Sequence, residues 1–252
     1  MNLKIIISLL GLVATAGTLG WLLSGVDSST NLETRTETVD IASERQEPSA
    51  GINATDFVSV RPAVADLPEQ TISSDERAGL VFMREEEKLA RDVYSVLFDK
   101  WGVQIFSNIA QSEQTHTEAV KTILTKYNIA DPVTDDSVGV FKNSDLQKLY
   151  DDLTTRGLVS LEDALTVGAI IEDLDIADLQ KQIAQTDNDD IKLVYENLMR
   201  GSRNHLRSFV SQLTSKGVTY VPRYITQSEF DSIVASTQET GSGAGRGWGE
   251  NR

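Results

Sequence analysis

The chain has 252 residues with 23 basic and 38 acidic side chains, which gives a formal net charge of −15. Nucleic-acid affinity comes largely from lysine and arginine neutralising phosphates, so this balance argues against a nucleic-acid partner. The sequence contains no cysteine, which excludes disulfides, zinc fingers, thiolate-held clusters and a cysteine nucleophile. Any metal must therefore be held by oxygen atoms and by the imidazoles of the two histidines of the sequence, His116 and His205.

Residues 1–25 have the pattern of an export signal. Lys4 precedes an apolar run of about 20 residues, which is long enough to cross a bilayer as a helix. Small residues at Ala14 and Ala16 suit signal cleavage, but the sequence stays apolar through Leu23, which favours an uncleaved anchor over a removed peptide. We therefore expect an exported protein that is membrane-anchored through residues 5–25 and faces outward, or a secreted or periplasmic protein if the signal is cleaved.

The remaining chain divides into three parts by composition. Residues 26–71 are rich in serine, threonine and acidic residues, and predict a flexible acidic linker. Residues 235–252 are glycine-rich and predict a disordered tail. Between them, residues 72–234 show helical periodicity without sustained two-residue alternation, which predicts a single all-α domain.

Start and stop signals divide this domain into four long helices and a short one. Ser73 and Glu76 have the spacing of a capping box, and the first long helix is expected to run from there to about Lys100. We expect the others at about 104–127, 144–156, 160–185 and, from a cap at Asp187, up to about 216. Such lengths match a four-helix bundle with an additional short helix between the second and third long helices.

The inward-facing stripe of each long helix is apolar at both ends and polar in its middle. The polar positions are Glu87 on the first helix, Glu113 and His116 on the second, Glu172 and Asp175 on the third, and Ser202 and His205 on the fourth. Buried carboxylates cost several kcal/mol each unless they are paired or bind a metal. No lysine or arginine lies on these stripes, so two divalent cations would balance the four carboxylates, and each imidazole would supply one nitrogen ligand.

The sequence resembles the ferritin-like and rubrerythrin-like di-metal carboxylate superfamily. Glu113 and His116 form a Glu-x-x-His pair on one helix face, and bundle di-iron and di-manganese proteins carry such pairs on two helices and a glutamate on each of two others. The resemblance is closest to an uncharacterised prokaryotic branch, the domain of unknown function 2202. It rests on the segments EEKLARDVY at 86–94, SEQTH at 112–116 and RGSRNHLR at 200–207.

This resemblance implies a ferritin-like bundle with a carboxylate-bridged pair of iron or manganese ions. The implied metal ligands are Glu87, Glu113, His116, Glu172, Asp175 and His205. Peroxide or oxygen chemistry and iron handling are the implied activities, as in a peroxidase-like or ferroxidase-like oxidoreductase. An enzyme of this kind would need an external electron donor, because the chain has no cysteine pair of its own.

Two positions depart from the superfamily pattern or leave a choice. The fourth helix has Ser202 where the pattern has glutamate, and Asp175, three residues after Glu172, could supply the fourth carboxylate from the third helix. If it does not, the site would hold one ion. Glu86 also lies on an apolar path, and we rank Glu87 first because Ala90 and Tyr94 follow it with the superfamily spacing.

A competing interpretation is a non-catalytic binding module of the cell envelope without metal. It treats the polar layer as a hydrogen-bonded core and the bundle as a surface for a partner. The sequence leaves the oligomeric state open, a homodimer included. Asn204 and Asp92 are candidate partners of the two imidazoles, and Arg200, Arg203 and Arg207 are expected to pair with Glu196 or other nearby acids.

Overall fold

The computed structural model of the protein describes residue 64 and residues 67–240. The predicted leader at 1–25, most of the predicted linker and the tail from 241 onward lie outside the described residues. Throughout the described part the regular structure is helical, which confirms the predicted all-α class. Among these residues, no helix is both long enough and apolar enough to cross a membrane.

Six helices form the described part of the chain. They are α1 (Ser74–Trp101), α2 (Gln104–Lys126), α3 (Ser144–Gly157), α4 (Leu161–Gln185), α5 (Asp189–Ser215) and α6 (Gln227–Ala235). The first five lie close to their predicted positions. Helix α6 was not predicted, although its start has a recognisable cap: the Thr226 hydroxyl accepts a hydrogen bond from the backbone N–H of Glu229.

Capping explains where the first long helix begins and ends. Ser73 and Glu76 make both hydrogen bonds of the predicted capping box, and Gly102 ends α1 in the left-handed conformation, with φ of 65°. The predicted cap of the fourth long helix, Asp187, is wrong, because Asn188 is the N-cap residue of α5. Its side chain makes no capping bond and instead donates to Glu76 Oε1, which ties the start of α5 to the start of α1.

The four long helices pack in a ring, in the order α1, α2, α5, α4. Neighbouring helices in this ring are antiparallel, because residues with higher numbers on one helix contact residues with lower numbers on the next. The contacts that establish this are Arg84–Thr117 and Arg91–Gln114 between α1 and α2, Gly79–Gln182 and Tyr94–Glu172 between α1 and α4, Gly168–Phe209 and Asp175–Ser202 between α4 and α5, and Glu113–His205 and Tyr127–Asp190 between α2 and α5. Helices α2 and α4 therefore run in the same direction.

A long crossover, residues 127–160 with α3 inside it, connects these two parallel helices. Its irregular part covers the outer face of α1: Glu85 accepts hydrogen bonds from the backbone N–H groups of Lys142 and Asn143, and Asp92 accepts one from Gly139. As a result, α1 is buried on all sides over residues 84–90. Its run of charged residues is part of the interior rather than a solvated face.

The chain after α5 folds back along that helix. Arg207 Nε donates to the carbonyl oxygen of Ile233 in α6 at 2.8 Å. Arg203 and Arg207 both pair with Glu239, whose backbone N–H also donates to the side-chain oxygen of Asn204. The first residues of the predicted tail, up to residue 240, are thus held against α5.

Candidate metal centre

Two groups of acidic and histidine side chains meet near the middle of the four long helices. Glu87, Glu113 and His116 form one group, and Glu113, Glu172 and His205 form the other. In each group one potential ligand atom per residue lies within 4.8 Å of the others. All five residues are at most 5% exposed, so the arrangement is enclosed by the helices.

Glu113 belongs to both groups and faces a different imidazole with each of its carboxylate oxygens. Its Oε2 lies 2.7 Å from Nδ1 of His116, and its Oε1 lies 2.9 Å from Nδ1 of His205. The two imidazole rings are stacked, with centroids 5.7 Å apart. One carboxylate thus stands between two nitrogen donors that are themselves side by side.

A further carboxylate lies near the same Nδ1 atom of each histidine that Glu113 approaches. Glu87 Oε2 lies 3.3 Å from Nδ1 of His116, and Glu172 Oε2 lies 3.4 Å from Nδ1 of His205. Four helices therefore contribute: α1 gives Glu87, α2 gives Glu113 and His116, α4 gives Glu172 and α5 gives His205. His116 therefore lies next to Glu87, and His205 next to Glu172, while both imidazoles lie next to Glu113 on α2.

Two hydroxyl groups fix the outer atoms of this arrangement. Ser112 Oγ lies 3.1 Å from Nε2 of His205, on the opposite side of the ring from the carboxylates. The Tyr94 hydroxyl donates a hydrogen bond to Oε1 of Glu172. Sequence reasoning missed Ser112, because a small polar residue in a helix carries no signal of its own. Tyr94 had a signal, since it lies on the same stripe as Glu87.

Asp175 lies next to the two groups without belonging to either. The hydroxyl of Ser202 on α5 donates to its Oδ2, while its Oδ1 is buried and has no hydrogen-bond partner. The structure therefore brings Asp175 to the position of α5 at which the sequence lacks a carboxylate. Glu86 is also buried but faces α4, where Asp178 is its neighbour, and it stays outside both groups.

Burial and mutual repulsion change the protonation of these side chains. Burial raises the pKa of Glu87 to about 8, although hydrogen bonding to His116 opposes the change. Burial also raises the pKa of Glu172, and raises that of Asp175 well above its ordinary value. Such values describe carboxylates that lack enough positive charge nearby.

The pKa values of Glu113 and of the two imidazoles shift in the directions that favour their charged forms. Burial would raise the pKa of Glu113, but the two imidazoles outweigh it and hold that pKa well below its ordinary value. Burial would lower the pKa of His205, but Glu172 and Glu113 raise it to about 9, and Glu113 likewise raises that of His116. The lowered pKa of Glu113 favours its ionised form, and the raised pKa values of His116 and His205 favour their protonated, positively charged forms.

Several expected partners lie elsewhere. Asp92 pairs with Lys88 and Arg91, and Asn204 bonds to Arg207 and to the backbone of Glu239, so neither contacts an imidazole. Arg203 and Arg207 pair with Glu239 rather than with Glu196. These contacts depend on the crossover and on the C-terminal segment, whose positions helix periodicity does not reveal.

The donor set fits a pair of metal ions. Metal–ligand bonds of about 2.1 Å that meet at right angles place their donor atoms about 3 Å apart, and the distances from the imidazoles to the carboxylates are 2.7 to 3.4 Å. Oε1 of Glu87 and Oδ1 of Asp175 are buried without a hydrogen-bond partner, as ligand atoms without their ion would be. A set rich in carboxylates, with one imidazole in each group, suits iron or manganese better than zinc.

Comparison with known proteins gives one family and one close relative. A sequence model described as "Uncharacterized protein domain (DUF2202)" matches residues 76–237. The uncharacterized protein MJ0754 of Methanocaldococcus jannaschii is 58% identical over 178 residues, which cover 71% of this chain and 96% of that protein. The crystal structure of the hypothetical protein MJ0754 is similar in fold, with a TM-score of 0.68 and 59% identity over 69% of this chain and 99% of that chain. Neither name states an activity.

Proposed function

The chain belongs to the DUF2202 family, whose description names no activity, and we propose that this protein binds two iron or manganese ions in a carboxylate-bridged centre. The bundle that holds them is of the ferritin-like kind. Ferritin-like bundles have one long crossover connection, whereas simple up-and-down bundles have short loops throughout. The crossover between the parallel helices α2 and α4, together with short connections between α1 and α2 and between α4 and α5, supports this topology.

The position of Glu113 carries the proposal. A carboxylate that offers one oxygen to each of two imidazole-bearing groups has the arrangement of a ligand that bridges two ions. Its neighbours supply the rest of each set: Glu87 and His116 would hold one ion, and Glu172 and His205 the other. Asp175, beside Ser202, would take the place of the carboxylate that the fourth helix of the superfamily pattern supplies.

The hydroxyl groups around the centre would orient these ligands. Because Ser112 lies at Nε2 of His205, the Nδ1 atom is left to face the ion. Because Tyr94 donates to Oε1 of Glu172, the Oε2 atom of that carboxylate is left for the same ion. The apolar layers above and below, which include the fully buried Phe106 and Leu198, would exclude bulk water and strengthen the electrostatic attraction.

A pair of redox-active ions in such a site would supply the one-electron steps needed to reduce peroxide or dioxygen or to oxidise Fe(II). The chain's residues would accommodate the accompanying changes in charge. Loss of protons from His116 and His205 offsets the arrival of cations, so metal binding is expected to release protons. Electrons for repeated turnover would come from an external donor.

Metal analysis of the full chain, purified without a metal-affinity tag, tests the proposal. We expect about two iron or manganese ions per chain, loss of both in Glu113→Gln, and loss of the ion next to α1 in His116→Ala. Glu118→Gln, on the outer part of the same helix, is the matched control and should keep both ions. A wild-type protein that is folded by circular dichroism yet takes up neither Fe(II) nor Mn(II) would refute the proposal and leave a binding module without metal.

A further inference from the structure

Glu86 is a buried carboxylate that the proposed metal centre does not use. It lies on α1 with 4% of its surface exposed, and neither of its carboxylate oxygens has a hydrogen-bond partner. A buried carboxylate without a donor or a cation is costly, by several kcal/mol in typical proteins. A side chain in this state indicates that something that binds carboxylates belongs next to it.

Three carboxylates on α4 form a column beside Glu86. Asp178, Asp175 and Glu172 are spaced three residues apart, so they lie on one helix face. Their exposure falls toward the metal centre, from 18% for the side chain of Asp178 to 2% for the side chain of Glu172, and Asp175 between them is buried. The column therefore connects a partly exposed position at the surface with a ligand of the proposed centre.

Glu86 faces the outer half of this column. Its carboxylate is a close neighbour of the Asp178 carboxylate, which repels it most strongly, and Asp175 is the acidic group with the next strongest repulsion. Because Glu86 has neither a hydrogen-bond donor nor a cation beside it among the described residues, and Asp178 is its nearest acidic neighbour, the two carboxylates are suited to bind a positive ion. Lys181, whose Nζ is 3.7 Å from Asp178 Oδ1, and the half-exposed Tyr224 lie at the outer side of this pair.

We propose that Glu86 and Asp178 form an inlet subsite, which takes a hydrated divalent cation from solution and passes it along Asp175 to Glu172. The inlet rests on the proposed function, since it leads to that metal centre. The Glu86 and Asp178 carboxylates replace part of the ion's water shell, and each following carboxylate is one helical turn further inward. The outer pair holds the ion only in transit, because it offers two side chains where the centre offers five or six.

Electrostatics gives the expected size of the effect. A cleft with low-dielectric walls and charge of one sign raises the association rate of an oppositely charged ligand by about 10- to 1000-fold. Replacing Glu86 and Asp178 by their amides keeps the shape of the inlet and removes its charge. The rate of metal uptake should then fall at least about tenfold, while the final metal content stays the same.

Stopped-flow uptake of Co(II), whose visible absorption changes when it acquires nitrogen and oxygen ligands, measures this rate in the metal-free full chain. The variant is Glu86→Gln with Asp178→Asn, and the matched control is Asp99→Asn, an exposed carboxylate near the end of the same helix. Slow uptake to an unchanged final Co(II) content in the variant, with normal uptake in the control, supports the inlet. If the double variant is not folded, Asp178→Asn alone, at a partly exposed position, should slow uptake by about threefold.

The other outcomes overturn the inlet and separate it from the proposed function. Uptake at the wild-type rate in the variant means that ions enter elsewhere, with the centre itself intact. A lower final Co(II) content in the variant means that Glu86 or Asp178 is a ligand of the centre rather than a station before it. A wild-type protein that binds no Co(II), Fe(II) or Mn(II) removes the centre, and the inlet with it.

Discussion

The hydroxyl of Ser202 on α5 donates a hydrogen bond to the carboxylate of Asp175 on α4. Ser202 is 1% exposed and occupies the position at which the ferritin-like pattern proposed for this chain has a glutamate. A carboxylate is thus present at this place in the layer although it comes from the neighbouring helix. Antiparallel packing of α4 and α5 sets position 175 opposite position 202, so a carboxylate on either helix would lie at this place.

Removal of the Asp175 charge should affect one of the two proposed ions. In Asp175→Asn we expect the metal content to fall from about two ions per chain to about one, because the set around His205 would keep only Glu113 and Glu172 as carboxylates. Mass-spectrometric metal analysis after loading with Fe(II) or Mn(II) provides the measurement. Ser202→Ala, which removes only the hydroxyl, serves as the comparison and should retain both ions.

The reciprocal exchange sharpens this test. Asp175→Ser combined with Ser202→Glu moves the carboxylate from α4 to α5 and should restore about two ions per chain. If Asp175→Asn binds as much metal as the wild type, Asp175 is not a ligand, and its carboxylate serves only to pair α4 with α5.

Gly168 lets α4 and α5 approach closely beside the centre. A Cβ atom added there would lie 2.4 Å from Cε1 of Phe209, whose ring already packs against Tyr94 and Phe106. Gly168→Ala should therefore lower the free energy of unfolding by about 1–3 kcal/mol, measured by urea denaturation. The double variant with Phe209→Leu should recover part of this loss, since the smaller side chain makes room. Equal stability of Gly168→Ala and the wild type would show that the Phe209 ring moves aside at no cost.

Glu76 predicts a specific dependence of stability on pH. Its burial opposes ionisation, but hydrogen bonds from Thr186, Ser73 and Asn188 outweigh this and lower its pKa to about 2 from the ordinary 4.5. A lowered pKa in the folded state means that the contribution to stability is present above about pH 4.5 and is lost as the pH falls toward 2. By linkage, this contribution is on the order of 2–3 kcal/mol.

Urea denaturation of the metal-free protein from pH 7 to pH 2.5 measures this contribution. Glu76→Gln should be less stable than the wild type above pH 5, and the difference should shrink as the pH falls below 4. Asp75→Asn changes an exposed carboxylate in the same turn and should alter stability by no more than about 0.5 kcal/mol. A difference for Glu76→Gln that is constant across this range would contradict the prediction.

Asp173 holds the segment between α5 and α6 from the outer side of α4. It is fully buried and accepts hydrogen bonds from the Tyr220 hydroxyl at 2.8 Å and from the backbone N–H groups of Arg223 and Ile225. Asp173→Asn replaces one acceptor oxygen with an amide that faces these donors. We expect a loss of about 2–3 kcal/mol and faster proteolytic cleavage within residues 218–226. Asp231→Asn, exposed on α6, should leave both measurements unchanged.

Helix periodicity alone predicted most of the residues in the candidate centre. A stripe with three- and four-residue intervals has one inward direction, so Glu113, His116, Glu172 and His205 could be placed in a common layer without coordinates. The capping spacing of Ser73 and Glu76 likewise fixed the start of α1. These predictions succeed because they depend on contacts within one helix or on the face that a helix turns to its neighbours.

Other features depend on the crossover and on the C-terminal segment, whose positions helical periodicity does not predict. Periodicity places Glu87 and Glu86 on inward paths but gives no reason to bury Glu85 and Lys88. All four residues are buried, because the crossover covers the back of α1. The spacing of Ala90 and Tyr94 ranked Glu87 above Glu86 for the centre, and Glu87 is the one of the two that lies beside Glu113 and His116. The sequence could not place Glu86 against Asp178, because that contact joins two different helices. The docking of Glu239 onto Arg203 and Arg207 is equally non-local.

The buried ammonium of Lys88 holds the irregular part of the crossover firmly against α1. Lys88 is 0% exposed, donates to Asp92 and to the carbonyl oxygen of Ser137, and stands 4.5 Å from the centre of the Phe141 ring. Lifting this segment would leave the Lys88–Asp92 pair without the Gly139 and Ser137 backbone groups that bond to it. The amide hydrogen of Gly139 should therefore exchange with solvent only when the whole domain unfolds. With the crossover held in place on this side, the ions of the proposed centre would enter through the proposed inlet between α1 and α4.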